Sequence, residues 1–159
     1  MSDDILRSPR LVLEPLVPAH AEALFAGFAD PRLYPYMPTD PPASIDALRD
    51  RYRRLATHAS PDGRERWLNW AARLAAAPIC IGLFEATVRP DATASLAYFV
   101  FSEHARRGYG VEGAGVVVDH LFRIGPRAGR PRKYRHPEPG LDPAGRAPRF
   151  CPGKPCFAG

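Results

Sequence analysis

No apolar run in this chain approaches the roughly 20 residues that cross a bilayer. The acidic start, Met1-Ser2-Asp3-Asp4, lacks the pattern of a secretory leader. The chain is therefore expected to be cytoplasmic and to have no membrane partner. Cysteine is scarce: Cys80, Cys151 and Cys156 are an odd number at scattered positions, which argues against a disulfide framework. Cys80 falls in an apolar strand and reads as a small buried residue. Cys151 and Cys156 with His136 fit no usual zinc spacing, so no metal is expected. An excess of positive charge is missing from most of the chain. Residues 1–124 carry 14 Lys/Arg against 15 Asp/Glu, a net −1. Residues 125–159 carry 8 against 2, a net +6. The basic balance belongs to the tail, which has no regular aromatic spacing and no recognition motif. Nucleic acid is not an expected partner.

What remains fits one soluble domain. A chain of 159 residues can bury a real core. Residues 10–16 alternate around Leu11 and Leu13 and predict a first strand. Pro18 suits a helix start, and Ala21, Leu24, Phe25 and Phe28 recur at helical spacing until Asp30-Pro31 breaks the run. Residues 31–42 are proline-rich and form either a packed connector or a loop over a pocket. Ser44 predicts an N-cap for a helix reaching about residue 58, with Ile45, Leu48, Tyr52 and Leu55 on one face. Arg49, Arg51, Arg53 and Arg54 fill the opposite face, which reads as solvated or as a site for an acidic partner. Turn signals at Ser60-Pro61-Asp62-Gly63 and Arg89-Pro90-Asp91 punctuate the next stretch. Residues 66–73, 78–88 and 94–101 then predict an antiparallel meander. Residues 111–124 predict a further helix.

Between that last strand and helix stands Arg106-Arg107-Gly108-Tyr109-Gly110-Val111-Glu112-Gly113-Ala114. A basic turn with glycines at a helix start suits phosphate. Glycine lets the backbone approach an anion, and the first helical N–H groups face it. Arginine adds charge and forked donors. Such turns also occur for purely structural reasons.

The stretch 105–110 resembles the acetyl-CoA pyrophosphate loop of the GNAT acetyltransferases, Gln/Arg-x-x-Gly-x-Gly/Ala. Gly108 and Gly110 match; Ala105 departs from the first position, with Arg106 and Arg107 beside it to supply charge. Arg-Gly-Tyr-Gly-x-Glu is most similar to the branch containing the ribosomal-protein N-terminal alanine acetyltransferases. Ser8-Pro9-Arg10-Leu11-Val12-Leu13-Glu14-Pro15-Leu16, Ile81-Gly82 and Ala97-Tyr98-Phe99-Val100 resemble the same branch. The resemblance covers residues 6–124. It implies an α/β (α+β) fold, a mixed, largely antiparallel sheet flanked by helices. The implied activity is acetyl transfer from acetyl-CoA to a primary amine, on a protein N-terminus or a small molecule. It implies that backbone N–H groups of Phe99, Val100 and Phe101 hold the pantetheine arm. The phosphates fall to Arg106, Arg107, Gly108, Tyr109, Gly110 and Val111. Tyr34, Tyr36 and Met37 fall where the acceptor is bound. Self-association into a homodimer is left open.

Several side chains carry two readings. Glu85 is a general base or a solvent-facing strand carboxylate. His104 orients a ligand or is an ordinary loop histidine. Glu112 complements the helix dipole or takes part in chemistry. The resemblance implies a tyrosine acid on a fourth helix, which has no counterpart here. From residue 125 the chain turns to eight prolines and six glycines with many arginines. No window there alternates or has helical period, so 125–159 is expected to be disordered, with the C-terminal strands absent. Such text is what a GC-rich gene yields in a shifted frame; a natural basic tail is the alternative. The domain is thus placed at 1–124, and two outcomes follow: a weakened acetyltransferase, or a non-catalytic remnant of the fold.

Overall fold

The computed structural model describes residues 4–35 and 40–125, with the backbone of the pairs 134–135, 150–151 and 154–155. Strand β1 (Leu6–Arg7) and strand β2 (Leu11–Pro15) form a hairpin, with Leu6 opposite Leu13. Helix α1 (His20–Phe28) and helix α2 (Ile45–Leu55) follow. Strands β3 (Arg66–Leu74), β4 (Cys80–Val88) and β5 (Ala94–Val100) then make the predicted meander. Helix α3 (Tyr109–Ile124) closes this part. Two-residue strand β6 (Tyr134–Arg135) lies parallel to β5, opposite Ala94 and Ser95. The sheet order is β1 to β6 in sequence. Strands β7 (Phe150–Cys151) and β8 (Lys154–Pro155) pair only with each other.

Alternation along the strands builds two cores. Leu68, Trp70 and Ala72 of β3 turn to one face with Phe84, Ala86 and Leu96. There they meet Leu11 and Leu13 of β2 and Ala114 and Val117 of α3. Ala71, Leu83 and Phe101 turn to the other face, against Ala21, Leu24 and Phe28 of α1 and Leu48 and Tyr52 of α2. A sheet covered on both sides explains why β3 is nearly all apolar and yet has one period-two pattern per face. Ser44 caps α2 as its sequence predicts, its Oγ accepting from the Ala47 amide at 3.0 Å.

The first strand forms where it is expected, as β2, and β1 is an addition whose two residues are too few to show a period but pair with 12–13. Two expectations are corrected. The helix predicted from residue 111 starts at Tyr109, one residue after a left-handed Gly108. Cys80 is half-buried, not buried; burial pushes its thiol up, and Glu14 adds to this. The expected absence of C-terminal strands also changes for six residues, the pairs that form β6, β7 and β8. The free edge of β5 offers backbone donors and acceptors, and β6 takes two residues of it. The other residues of 125–159 after Gly125 lie outside those described.

His120 makes this core pH-sensitive. It is buried in α3, edge-on to Trp70 at 5.7 Å, and its Nε2 has no hydrogen-bond partner among the described residues. Burial holds its pKa below the ordinary value; Asp4 opposes the shift, while Arg123 and Arg66 add to it. A depressed imidazole is neutral in the fold and charges on unfolding. Its share of stability is full above the ordinary histidine value and is lost as pH falls towards the folded pKa. Melting curves between pH 7.5 and 5.5 are expected to fall more steeply for the native chain than for His120→Gln. Parallel curves would contradict this.

Candidate active site

The turn after β5 has the geometry of an anion cradle. A short 3₁₀ turn (Ser102–His104) leads into Arg106, at φ 61°, and Gly108, at φ 82°. Only glycine takes such a φ without cost, so Gly108 is where the chain turns into α3. Gly108 is the N-cap and offers no side chain to the helix. The first intrahelical bond at this end runs from the Glu112 amide to the Gly108 carbonyl, at 3.0 Å. The amides of Tyr109, Gly110 and Val111 precede it and are left for a ligand. Arg106 and Arg107 are exposed beside them and form no ion pair among the described residues.

Gly110 has a packing reason to be glycine besides its place in the turn. A Cβ there would press on the Tyr98 ring, 2.5 Å from Cε2. A Cβ on Gly113 would run into Phe84. Tyr98 and Phe84 stack with centroids 5.5 Å apart. These two glycines let α3 lie down on that aromatic pair; of the two loop glycines, only Gly108 has left-handed backbone.

Behind the turn sits a clamp that the sequence does not announce. The Glu112 carboxylate accepts from Ser8 Oγ at 2.7 Å and the Arg10 amide at 3.0 Å. Its other oxygen accepts from Arg10 Nε and Nη2, each at 2.6 Å. Arg10 Nη1 donates to the Arg107 carbonyl at 2.9 Å, and its guanidinium lies 4.6 Å over the Tyr109 ring. Burial raises the Glu112 pKa, but the Ser8 and Arg10 hydrogen bonds outweigh it and hold the group below the ordinary carboxylate value. Glu112 thus does more than complement a helix dipole. Partners about a hundred residues apart leave no local pattern.

The edge of β5 beside this turn is open from Leu96 onward among the described residues, since β6 reaches only Ala94 and Ser95. Not all three backbone donors implied by the resemblance face it. The Phe101 amide donates to the Ile81 carbonyl at 2.8 Å, inside the sheet. The Phe99 carbonyl points at Gly82 of β4, so that residue also faces inward. Alternation leaves Val100 turned to the edge. Phe99 and Phe101 instead pack edge-on against Phe28, at 5.6 and 5.2 Å. Phe101 is therefore corrected from a cofactor donor to a core residue.

On the α1–α2 face, Glu85 lies between Asn69 and Ala97 in register across three strands. Arg51 Nη2 of α2 donates to Glu85 Oε1 at 2.6 Å, and both side chains are 15% exposed. Asn69 Nδ2 and the Tyr52 hydroxyl are buried nearby with no hydrogen-bond partner among the described residues. Burial pushes the Tyr52 phenol far up, the Arg51 charge opposing it. The arginine face of α2 is not simply solvated: Arg49 pairs with Glu22 at 3.0 Å and with Asp46, and Arg53 pairs with Asp50. Tyr34 donates to the Phe28 carbonyl at 2.6 Å. Tyr36 and Met37 lie outside the described residues. His104 is half-buried, 6.5 Å from the Tyr109 ring, with Nδ1 unpartnered.

The chain belongs to the acetyltransferase (GNAT) domain family, whose profile matches residues 10–132. Solved structures share the fold. An acetyltransferase from Salmonella typhimurium that modifies the N-terminal serine of ribosomal protein L7/L12 aligns with a TM-score of 0.63 and 15% identity. That alignment covers 76% of this chain and 69% of that one. A GCN5-related N-acetyltransferase from Brucella melitensis aligns at 0.62 and 17%, covering 78% and 57%. A GNAT-family acetyltransferase from Bacillus anthracis aligns at 0.60 and 15%, covering 76% and 67%. The chain spans 59% of the length of a further acetyltransferase that it matches. No curated protein sequence matches it. Among the described residues no helix is long and apolar enough to cross a membrane, and no metal-binding cluster forms.

Proposed function

We propose that this chain binds acetyl-CoA and passes the acetyl group to a primary amine of a peptide N-terminus or a small molecule. The observation that carries this is the uncapped start of α3, entered through left-handed Gly108 beside the open edge of β5. The amides of 109–111 with Arg106 and Arg107 fit a diphosphate, and the Val100 amide fits the amide of a pantetheine arm. Bound acetyl-CoA supplies an activated thioester. The chain then places the amine beside it, and position alone lowers the barrier greatly. The amine attacks only when neutral, and Glu85 is proposed to take its proton, directly or through water. Tyr34, Tyr36 and Met37 are proposed walls of the acceptor site. Peptides beginning with serine or alanine are the first acceptors to try.

The sequence after residue 124 favours a second reading alongside this one, in which the domain holds the cofactor but turns over slowly or not at all. A slot between two strands needs both walls, and the composition of 125–159 carries no pattern for a second one. Residues 125–159 read as the product of a shifted frame fit this reading.

Calorimetry with coenzyme A tests the site. Affinity is expected to fall as salt rises. Arg107→Ala is expected to weaken binding by about three- to tenfold, the range for an exposed charged contact. Equal affinity for the native chain and an Arg106→Ala/Arg107→Ala variant would remove the loop from the site. CoA release with a panel of amines and N-terminal peptides separates slow transfer from none.

A further inference from the structure

The Ser8–Arg10–Glu112 clamp lies outside any role assigned so far, and its placement is informative. Glu112 sits in the first turn of α3, next to the amides proposed to receive a diphosphate. A carboxylate there suits the helix dipole but repels a second anion. The fold draws it back. Both Glu112 oxygens are occupied by donors from the β1–β2 hairpin, at 2.6 to 3.0 Å. Arg10 supplies the neutralising charge and three of the four donors, two from its side chain and one from its amide. The same guanidinium donates to the Arg107 carbonyl at 2.9 Å, so that oxygen, too, is met by the Arg10 charge. A Cβ on Gly108 would lie 3.3 Å from Arg10 Nη2, so the clamp touches the turn itself. Arg106 and Arg107 are left at the entrance with no ion-pair partner among the described residues.

We propose that Arg10 is a positioning residue for the phosphate loop: it masks and withdraws Glu112 and so makes the turn selective for a diphosphate-bearing carrier over the bare pantetheine arm. This rests on the reading of the 106–111 turn as the coenzyme A site. Arg10 need not touch the ligand. It acts through the charge of Glu112 and the orientation of the Arg107 peptide.

The test uses the full chain, with coenzyme A and pantetheine as probes in calorimetry. Arg10→Met leaves Glu112 charged and unpaired. Coenzyme A affinity is expected to fall about tenfold or more, and pantetheine affinity to stay within about twofold. Arg10→Met/Glu112→Gln removes the charge as well. Glutamine still accepts from Ser8 and the residue-10 amide, so coenzyme A affinity is expected to return to within about threefold of the native chain. Glu112→Gln alone should bind coenzyme A as tightly as the native chain or more tightly. A clamp that merely holds the fold together would behave otherwise, because its loss would loosen the whole turn and weaken pantetheine as much as coenzyme A. A double variant no better than Arg10→Met would overturn the proposal. So would a Glu112→Gln variant as weak as Arg10→Met, or a pantetheine loss equal to that for coenzyme A. Native chain that binds coenzyme A while Arg10→Met binds equally well overturns this proposal alone. Native chain that binds no coenzyme A overturns the functional reading, and this with it.

Discussion

Glu85→Gln is expected to lower turnover by about 100- to 10,000-fold, the usual worth of a positioned proton acceptor. Coenzyme A affinity should stay within about twofold, because Glu85 lies on the α1–α2 face, away from the 106–111 turn. The alternative is that the carboxylate exists only to hold Arg51 at 2.6 Å. Both side chains are only 15% exposed, so breaking the pair would cost stability. Steady-state rates and melting curves of one variant decide between them. A rate within about threefold of native with a lowered Tm makes Glu85 a structural carboxylate. A collapsed rate with an ordinary Tm makes it the base.

Gly82→Ala and Gly115→Ala should move stability in opposite directions. A Cβ on Gly82 would coincide with the Phe99 carbonyl oxygen, which is backbone and cannot turn aside. The strands β4 and β5 must part, at a cost of about 3 kcal/mol or more, the upper end for overpacking. For a chain of this size that lowers Tm by about 6–12 °C. The same displacement would swing the Val100 amide, so coenzyme A affinity should fall with it. Around Gly115, on α3, a Cβ meets nothing within 4 Å. Alanine there should gain up to about 1 kcal/mol from helix propensity alone. Scanning calorimetry checks both. An unchanged Tm for Gly82→Ala would mean that the close approach of β4 and β5 is not a constraint on the fold.

Most of the fold was legible because its signals are local. Alternation in 66–73, 78–88 and 94–101, with turn residues between, predicts three neighbouring strands, and the structure pairs them in that order. Ser44 announces α2 because a cap is a matter of three residues. The site was legible only where it is equally local, in the run from Arg106 to Gly110. The functions of its glycines were not. Gly108 and Gly110 look alike in sequence, yet one sets a left-handed turn and the other makes room for Tyr98. Phe101 looked like a donor until the register with Ile81 was known. Arg51 looked solvated until α2 was seen to lean it on Glu85. Each of these depends on which residues from distant segments become neighbours, and no window of sequence records that.

The clamp between hairpin and helix has a kinetic side. Strands β3 to β5 close short loops and can form early; the bonds from Ser8 and Arg10 to Glu112 join residues 104 and 102 apart, and closing so long a loop costs more entropy. Were Arg10 to part from Glu112, the turn at 106–111 would lose its charge mask and its carbonyl tether together. If the turn receives a phosphate as proposed, its readiness to do so would then be set by Ser8 and Arg10, about a hundred residues away in sequence.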